Sequence, residues 1–245
     1  MLRCAIQDRI LIVLLDRPPQ RNAMSVELVA ELIAIVEDFA QNDAARVLVL
    51  GGAGNGFCAG SDLGGLARMD DAERSDFEAE SGRLARALSE IEKPVVAAVH
   101  GFAIGGGLTL AIAADIVVTE ATARWSLPEV PIGLFPAWGL GPLVRRAGLV
   151  TARRLAWGID QVDGVEAQRL GIADLVAEDS ALDTAMAVAR SLAELPPQQA
   201  RSVKSFFATG DADEISDRAA NAAFMDASDT PEAQASFARY AAKSA

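Results

Sequence analysis

The sequence predicts an α/β fold, and three observations predict it. Short apolar runs at Val47-Leu48-Val49-Leu50, Val95–Val99 and Ile116-Val117-Val118 read as buried strands. Segments with helical spacing of apolar residues separate them, so the strands need crossover connections. Beyond about Val150 the texture turns to Ala-rich helical segments with few strand signals, divided by Pro196-Pro197. The expected organisation is a core over 1–190 and a helical region over 191–245.

Taken in order, Leu2–Asp16 alternates around Gln7-Asp8-Arg9 and reads as a β-hairpin. Arg17-Pro18-Pro19 ends it, because consecutive prolines remove ladder donors. Ser25 is placed to cap a helix reaching about Gln41, with Leu28, Leu32, Ile35, Val36 and Phe39 on one face. Gly51–Gly56 breaks the strand that follows. Ala72–Ile91 reads as a charged amphipathic helix stopped at Lys93-Pro94. Val95–Val99 then runs directly into Gly101-Phe102-Ala103-Ile104-Gly105-Gly106-Gly107, and a small-residue helix over Leu108–Ala114 precedes the third strand.

At 245 residues the chain suits one large domain, or one domain with an appendage. Lys+Arg 22 against Asp+Glu 34 leaves a net charge of -12. That balance argues against a general nucleic-acid or anionic-membrane binder, which needs clustered cations. Lysine occurs only at 93, 204 and 243, so an anionic ligand must rely on local Arg or backbone N–H groups. The two cysteines, Cys4 and Cys58, make no disulfide framework, and His100 alone makes no His-rich metal site. No metal is expected. The apolar stretches Ile10–Leu15 and Leu108–Ala114 are too short for a signal core or a membrane span, so cytoplasmic residence is the expectation.

Two glycine-bearing segments carry the chemical signal: Gly56-Phe57-Cys58-Ala59-Gly60-Ser61-Asp62-Leu63 and Gly105-Gly106-Gly107. Each follows a buried strand and presents N–H groups at a junction where the first helical donors lack partners. Two converging N–H groups are what a reacting carbonyl needs as it becomes an oxyanion or enolate. A Rossmann fingerprint fails, because Leu110 stands where a third glycine is required, and no Lys follows to make a P-loop. Tight helix packing is the other reading of Gly105–Gly107.

Together these segments resemble the crotonase superfamily, the enoyl-CoA hydratase/isomerase family. The resemblance runs through "LLDRPPQRNAMS", "GNGFCAGSDL", "KPVVAAVHGFAIGGGLTLAIAADIVV" and "WSLPEVPIGLFP" to "SFARYAAK", and is strongest over 12–148. It implies a crotonase-like spiral of ββα units with a C-terminal helical trimerisation region, assembled as trimers or dimers of trimers. It also implies an acyl-CoA thioester held in an oxyanion hole, with coenzyme A part of the substrate and no separate cofactor. The family's two N–H donors fall on Ser61 and Gly106.

Family hydratases use two glutamates. One slot, in the pattern G-G-G-x-E, is Thr109 here; the other is kept as Glu129 within Trp125-Ser126-Leu127-Pro128-Glu129. A threonine hydroxyl is too weak an acid to cycle a proton near neutral pH, though it can hold a water. A single carboxylate suffices to move a proton between two carbons, so the expected reaction is Δ3,Δ2-enoyl-CoA isomerisation with Glu129 as sole acid and base. Hydration assisted by Thr109 is the alternative, and an acyl-CoA-binding homologue without turnover is a third. Dienoyl-CoA isomerases and dehalogenases of the family carry an aspartate where this chain has Ala137, which excludes both. The family's usual P-G-x-G-G stretch is altered to Pro136-Ala137-Trp138-Gly139, and Trp138 adds a large apolar surface near the acyl site.

For coenzyme A the resemblance implies contacts along Ala59–Leu63 and nearby cations. The usual lysine of this motif is Gly64 here, which leaves Arg21, beside Ala23, as the best substitute and Arg68 as a weaker one. Phe237 and Lys243 fit the family's terminal adenine-contacting pattern. Asp62 is expected to orient its turn, Asp115 to be structural, Cys58 to be a packed thiol and His100 to bond locally.

Overall fold

The structure, a computed structural model, describes residues 1–208 and 210–243, the side chains of 210–213 and 243 excepted. β1 (Leu2–Gln7) and β2 (Ile10–Leu15) form the expected antiparallel hairpin. Asp8 and Arg9 close it with φ of 51° and 63°, the left-handed pair that matches strand twist in a two-residue turn. α1 (Val26–Gln41) is capped by Ser25, whose hydroxyl accepts the Leu28 N–H. β3 (Val47–Gly52), α2 (Leu63–Leu66) and α3 (Asp71–Glu90) follow, and Asp70 and Glu73 close α3 with a reciprocal capping box.

Next come β4 (Val95–Val99), β5 (Phe102–Ile104), α4 (Gly106–Ile112), β6 (Ile116–Glu120) and β7 (Arg124–Ser126). The remainder is α5 (Leu140–Ala156), β8 (Gln161–Val162), α6 (Gly164–Arg169), β9 (Leu175–Ala177) and α7 (Ala181–Ala193). Three helices end the chain: α8 (Pro197–Phe207), α9 (Gly210–Ser228) and α10 (Pro231–Lys243). The main sheet runs β1-β2-β3-β4-β6-β9, parallel throughout except for the hairpin. A second, small sheet runs β5-β7-β8. The mixed α/β class is therefore as the sequence predicts. The edge strand β9 and the short β5, β7 and β8 are not legible in advance, because two or three residues carry no periodicity.

Alternation along the strands divides the core. Val47 and Val49, with Val96 and Val118, pack under Ala185, Met186 and Ala189 of α7. Leu48 and Leu50 face the other way, into the larger cluster with Leu28, Leu32 and Phe39 of α1 and Leu84 and Leu88 of α3. Both sheet faces are thus covered, as a parallel sheet requires. The chain leaves the carboxyl ends of β3 and β4 into the two glycine segments, the usual place for a ligand in an open α/β sheet. α9 packs on α3 and α10 packs on α2, which brings the C-terminal helices over that end. Among the described residues no helix is long and apolar enough to cross a membrane.

Candidate active site

Buried Asn22 pins the first loop to the exit of β3. Its Oδ1 accepts the Arg17 N–H at 2.9 Å, and its Nδ2 donates to the carbonyls of Ala53 and Gly56 at 2.8 and 2.9 Å. The second segment is tied to the first by a short parallel bridge: Cys58 N–H donates to Phe102 O, and Ile104 N–H to Cys58 O. Gly60 has φ of +91°, and a Cβ on it would lie 2.8 Å from Ile104 O and 3.2 Å from Gly106 N. Only glycine permits that approach.

The result is that Ser61 and Gly106 line one cavity of about 70 Å³. Neither N–H donates a backbone hydrogen bond to a described residue. Gly106 opens α4, whose first donors have no intrahelical acceptor. The pair has the form of an oxyanion hole.

Glu129 reaches the same cavity from the turn after β7. Its carbonyl accepts the Ile132 and Leu134 N–H groups at 3.1 and 2.9 Å, which fixes its backbone. Its Oε1 lies against Gly105, where an added Cβ would approach to 2.6 Å. The residue is only half-buried, but Oε2 is out of reach of solvent and has no hydrogen-bond partner. Burial pushes its pKa up to about 7, opposed by a backbone hydrogen bond and reinforced by the charge of Glu78.

Glu78 is the residue that sequence reasoning missed. It extends from α3 into the cavity and is 4% exposed. Trp138 Nε1 donates to its Oε2 at 3.0 Å and Ser61 Oγ to its Oε1 at 3.4 Å. Burial raises its pKa to about 7 against the lowering effect of those two donors. Glu129, expected as sole acid and base, thus shares its cavity with a second carboxylate. A signal was present: Glu78 falls on the stripe of Arg74, Phe77, Ser81, Leu84, Ala85 and Leu88, the buried face of α3.

Thr109 and Trp138 both line the cavity, as do Ala59, Leu63 and Ala137. The Thr109 hydroxyl donates to Gly106 O at 3.2 Å, within its own helix, which spends its one proton there. Trp138 is held by a network below it. Gly139 N–H donates to Asp217 Oδ1 at 3.0 Å, and Arg86 Nη1 lies 2.6 Å from Asp217 Oδ2, joining α3, α9 and the Trp138 loop. Phe224 of α9 forms part of the cavity wall. Among the described residues that line the cavity none is Lys, Arg or His.

Other residues singled out in the sequence lie outside this cavity. Asp62 caps α2 through the Gly65 N–H and pairs with Arg17 at 3.3 Å. The Arg21 carbonyl accepts the Ala59 N–H, while its guanidinium lies 4.5 Å from the centre of the Phe102 ring. Ala23 is half-buried beside it, and its carbonyl accepts from Arg17 Nη1. Arg68 is exposed. Phe237 is buried under the Arg74 guanidinium, 4.8 Å from its ring centre, and belongs to the core. The Lys243 side chain lies outside the described residues. Cys58 is fully buried and its thiol is pushed up to about 12 by burial, which makes it inert. His100 Nε2 bonds Gly54 O at 2.9 Å, and Asp115 accepts the Val95 N–H and pairs with Lys204 at 2.8 Å. Among the described residues no cluster of three His, Cys, Asp or Glu could hold a metal ion.

Comparison with known proteins places the chain in a family. Residues 5–245 match the family described as Enoyl-CoA hydratase/isomerase. The chain is similar to the short-chain-enoyl-CoA hydratase of Clostridium acetobutylicum, 31% identical over 194 residues, 78% of this chain and 74% of that protein. It is similar to the 2,3-dehydroadipyl-CoA hydratase of Escherichia coli, 32% identical over 200 residues, 81% of this chain and 78% of that one. Among solved structures, an enoyl-CoA hydratase/isomerase from Mycobacterium paratuberculosis superposes with a TM-score of 0.90 at 27% identity, covering 97% of both chains.

Proposed function

The chain belongs to the enoyl-CoA hydratase/isomerase family, and on that premise we propose that Glu129 moves the proton at the carbon α to an enoyl-CoA thioester. One observation carries this reading: Glu129, whose Oε2 is solvent-excluded and has no hydrogen-bond partner, lines the same cavity as Ser61 and Gly106, whose N–H groups donate to no described backbone acceptor. The thioester oxygen sits between those donors, which stabilise the enolate that forms when the α proton leaves. Burial keeps the Glu129 pKa near the operating range, where one group serves as both base and acid.

The Δ3,Δ2 double-bond shift needs only this set. Glu129 takes the proton from C2, the electron pair spreads as a dienolate, and the same carboxyl returns the proton at C4. Hydration of a 2-enoyl-CoA is a second reading, favoured by the buried carboxylate of Glu78 in the same cavity. The backbone of Ala59 and Leu63, with Arg21 and Ala23 beside it, is our proposed seat for the CoA moiety, and a trimer or dimer of trimers is the proposed assembly.

The test offers purified protein 3-enoyl-CoA and 2-enoyl-CoA separately. Glu129→Gln is expected to lower turnover of either by about 10²–10⁴-fold, the usual worth of a positioned acid–base group. Turnover that survives this substitution overturns the assignment.

A further inference from the structure

We propose that Glu78 is the second proton-handling carboxylate of this site, the base that takes a proton from water as it adds to C3 of a 2-enoyl-CoA. The inference rests on the Glu129 reading, since Glu129 must deliver the matching proton to C2. Water oxygen forms the bond to C3, and the C2–C3 π pair moves onto the thioester as an enolate. The enolate then takes the Glu129 proton at C2. Glu78 leaves the step protonated and Glu129 ionised; the proton passes back through solvent once the 3-hydroxyacyl-CoA departs. Atoms and charge balance without a further reactant.

Four observations converge on Glu78. It lines the same small cavity as Glu129, Ser61 and Gly106, yet arrives from a different element, the buried face of α3. Its two oxygens accept from Trp138 Nε1 and Ser61 Oγ, which fixes the carboxylate and still leaves lone pairs for a water, because a carboxylate offers about four acceptor positions. Ser61 ties it to the reacting centre, since the same residue supplies one of the two oxyanion donors. Thr109, the other candidate to hold water, spends its hydroxyl proton on Gly106 O.

Electrostatics fit the division of labour. Two carboxylates share a cavity that no Lys, Arg or His among the described residues lines, and the charge on Glu78 raises the proton affinity of Glu129. The favoured one-proton state has Glu78 ionised under its two donors and Glu129 protonated. Water addition starts from that state, with base and acid each already in the required form. The cavity of about 70 Å³ has room for the water itself.

The experiment measures both reactions on the full chain: gain of one water by 2-enoyl-CoA, followed by mass, and conversion of 3-enoyl-CoA to the conjugated isomer. Glu78→Gln should lower hydration about a hundredfold or more, and lower the ratio of hydration to isomerisation at least about tenfold. Glu78→Asp keeps a carboxylate one methylene further back and should retain more hydration than Glu78→Gln. Melting curves of both variants establish that each is folded. Hydration that survives Glu78→Gln, or equal loss of both reactions with Asp no better than Gln, makes Glu78 a mere strut and overturns the inference. A wild-type chain that isomerises without hydrating overturns it too, leaving the Glu129 reading intact. Turnover that survives Glu129→Gln, or a wild-type chain inert on both substrates, instead sinks the reading on which the inference rests.

Discussion

The indole nitrogen of Trp138 donates a 3.0 Å hydrogen bond to Oε2 of Glu78, across 60 positions of sequence. Both side chains are buried, Trp138 at 3% and Glu78 at 4% exposure. The bond links the two places where this chain departs from the simplest reading of its motifs: a bulky residue at 138 and a carboxylate entering from α3.

Trp138→Phe keeps an aromatic wall but removes the donor. The expected cost is on the order of 1–3 kcal/mol of stability, the penalty for leaving a buried acceptor unsatisfied. With one lowering hydrogen bond gone, the Glu78 pKa rises further above 4.5 than its present value of about 7. In a pH–rate profile of hydration the acidic limb should move upward. An unmoved limb would mean that Trp138 does not govern the ionisation of Glu78.

The raised carboxylates set a pH dependence of stability. Unfolded, each glutamate loses its proton around 4.5; folded, each keeps it to about 7. The folded chain therefore binds more protons in that window, so stability is complete below the unfolded value and declines as pH rises through about 7, by up to about 3 kcal/mol per carboxylate. Glu78→Gln and Glu129→Gln remove the ionisation. Thermal melts should show each variant gaining on wild type at about pH 8 and matching it at about pH 4.

Gly105 has φ of +57° and ψ of -129°, a region essentially closed to other residues. Gly105→Ala would place a Cβ 2.6 Å from Glu129 Oε1. The carboxylate must shift from its present place, and a displacement of about 1 Å at a reacting group costs about 10²-fold in kcat. Steady-state kinetics read this directly, with Glu129 chemistry lost while the sheet remains.

Asp217 accepts the Gly139 N–H at 3.0 Å and holds Arg86 at 2.6 Å, fastening α9 and the Trp138 loop to α3. Asp217→Ala leaves Arg86, 18% exposed at its side chain, without this partner. Breaking a largely buried pair costs about 3–5 kcal/mol, so a substantial fall in Tm and a loosened cavity wall are expected. Calorimetry checks the first and hydration kinetics the second.

Thiol labelling separates the two cysteines. Cys4 is exposed, whereas Cys58 is buried with its thiol pushed up to about 12. In the native chain an alkylating reagent should modify Cys4 and spare Cys58; after denaturation both should react. Loss of activity on native labelling would contradict the packed-thiol role of Cys58.

By itself the sequence determined what local rules can determine. Apolar runs and helical spacing specify the hairpin, α1, β3, β4 and β6; Ser25 specifies a helix start through its cap. The glycine segments were legible because positive φ and close backbone approach demand glycine there, whereas the Trp125–Glu129 stretch was legible only through its resemblance to the family's motif. Only the tertiary structure decided what the buried face of α3 looks onto. Periodicity places Glu78 on that face, but a stripe of residues does not say which loop packs against it. Burial, the Trp138 donor and the proximity to Glu129 all arise from contacts distant in sequence, and those contacts, not the residue type, hold the pKa of an ordinary glutamate near 7. The same physics moved Phe237 into the core beneath Arg74 and assigned the Thr109 hydroxyl to its own helix.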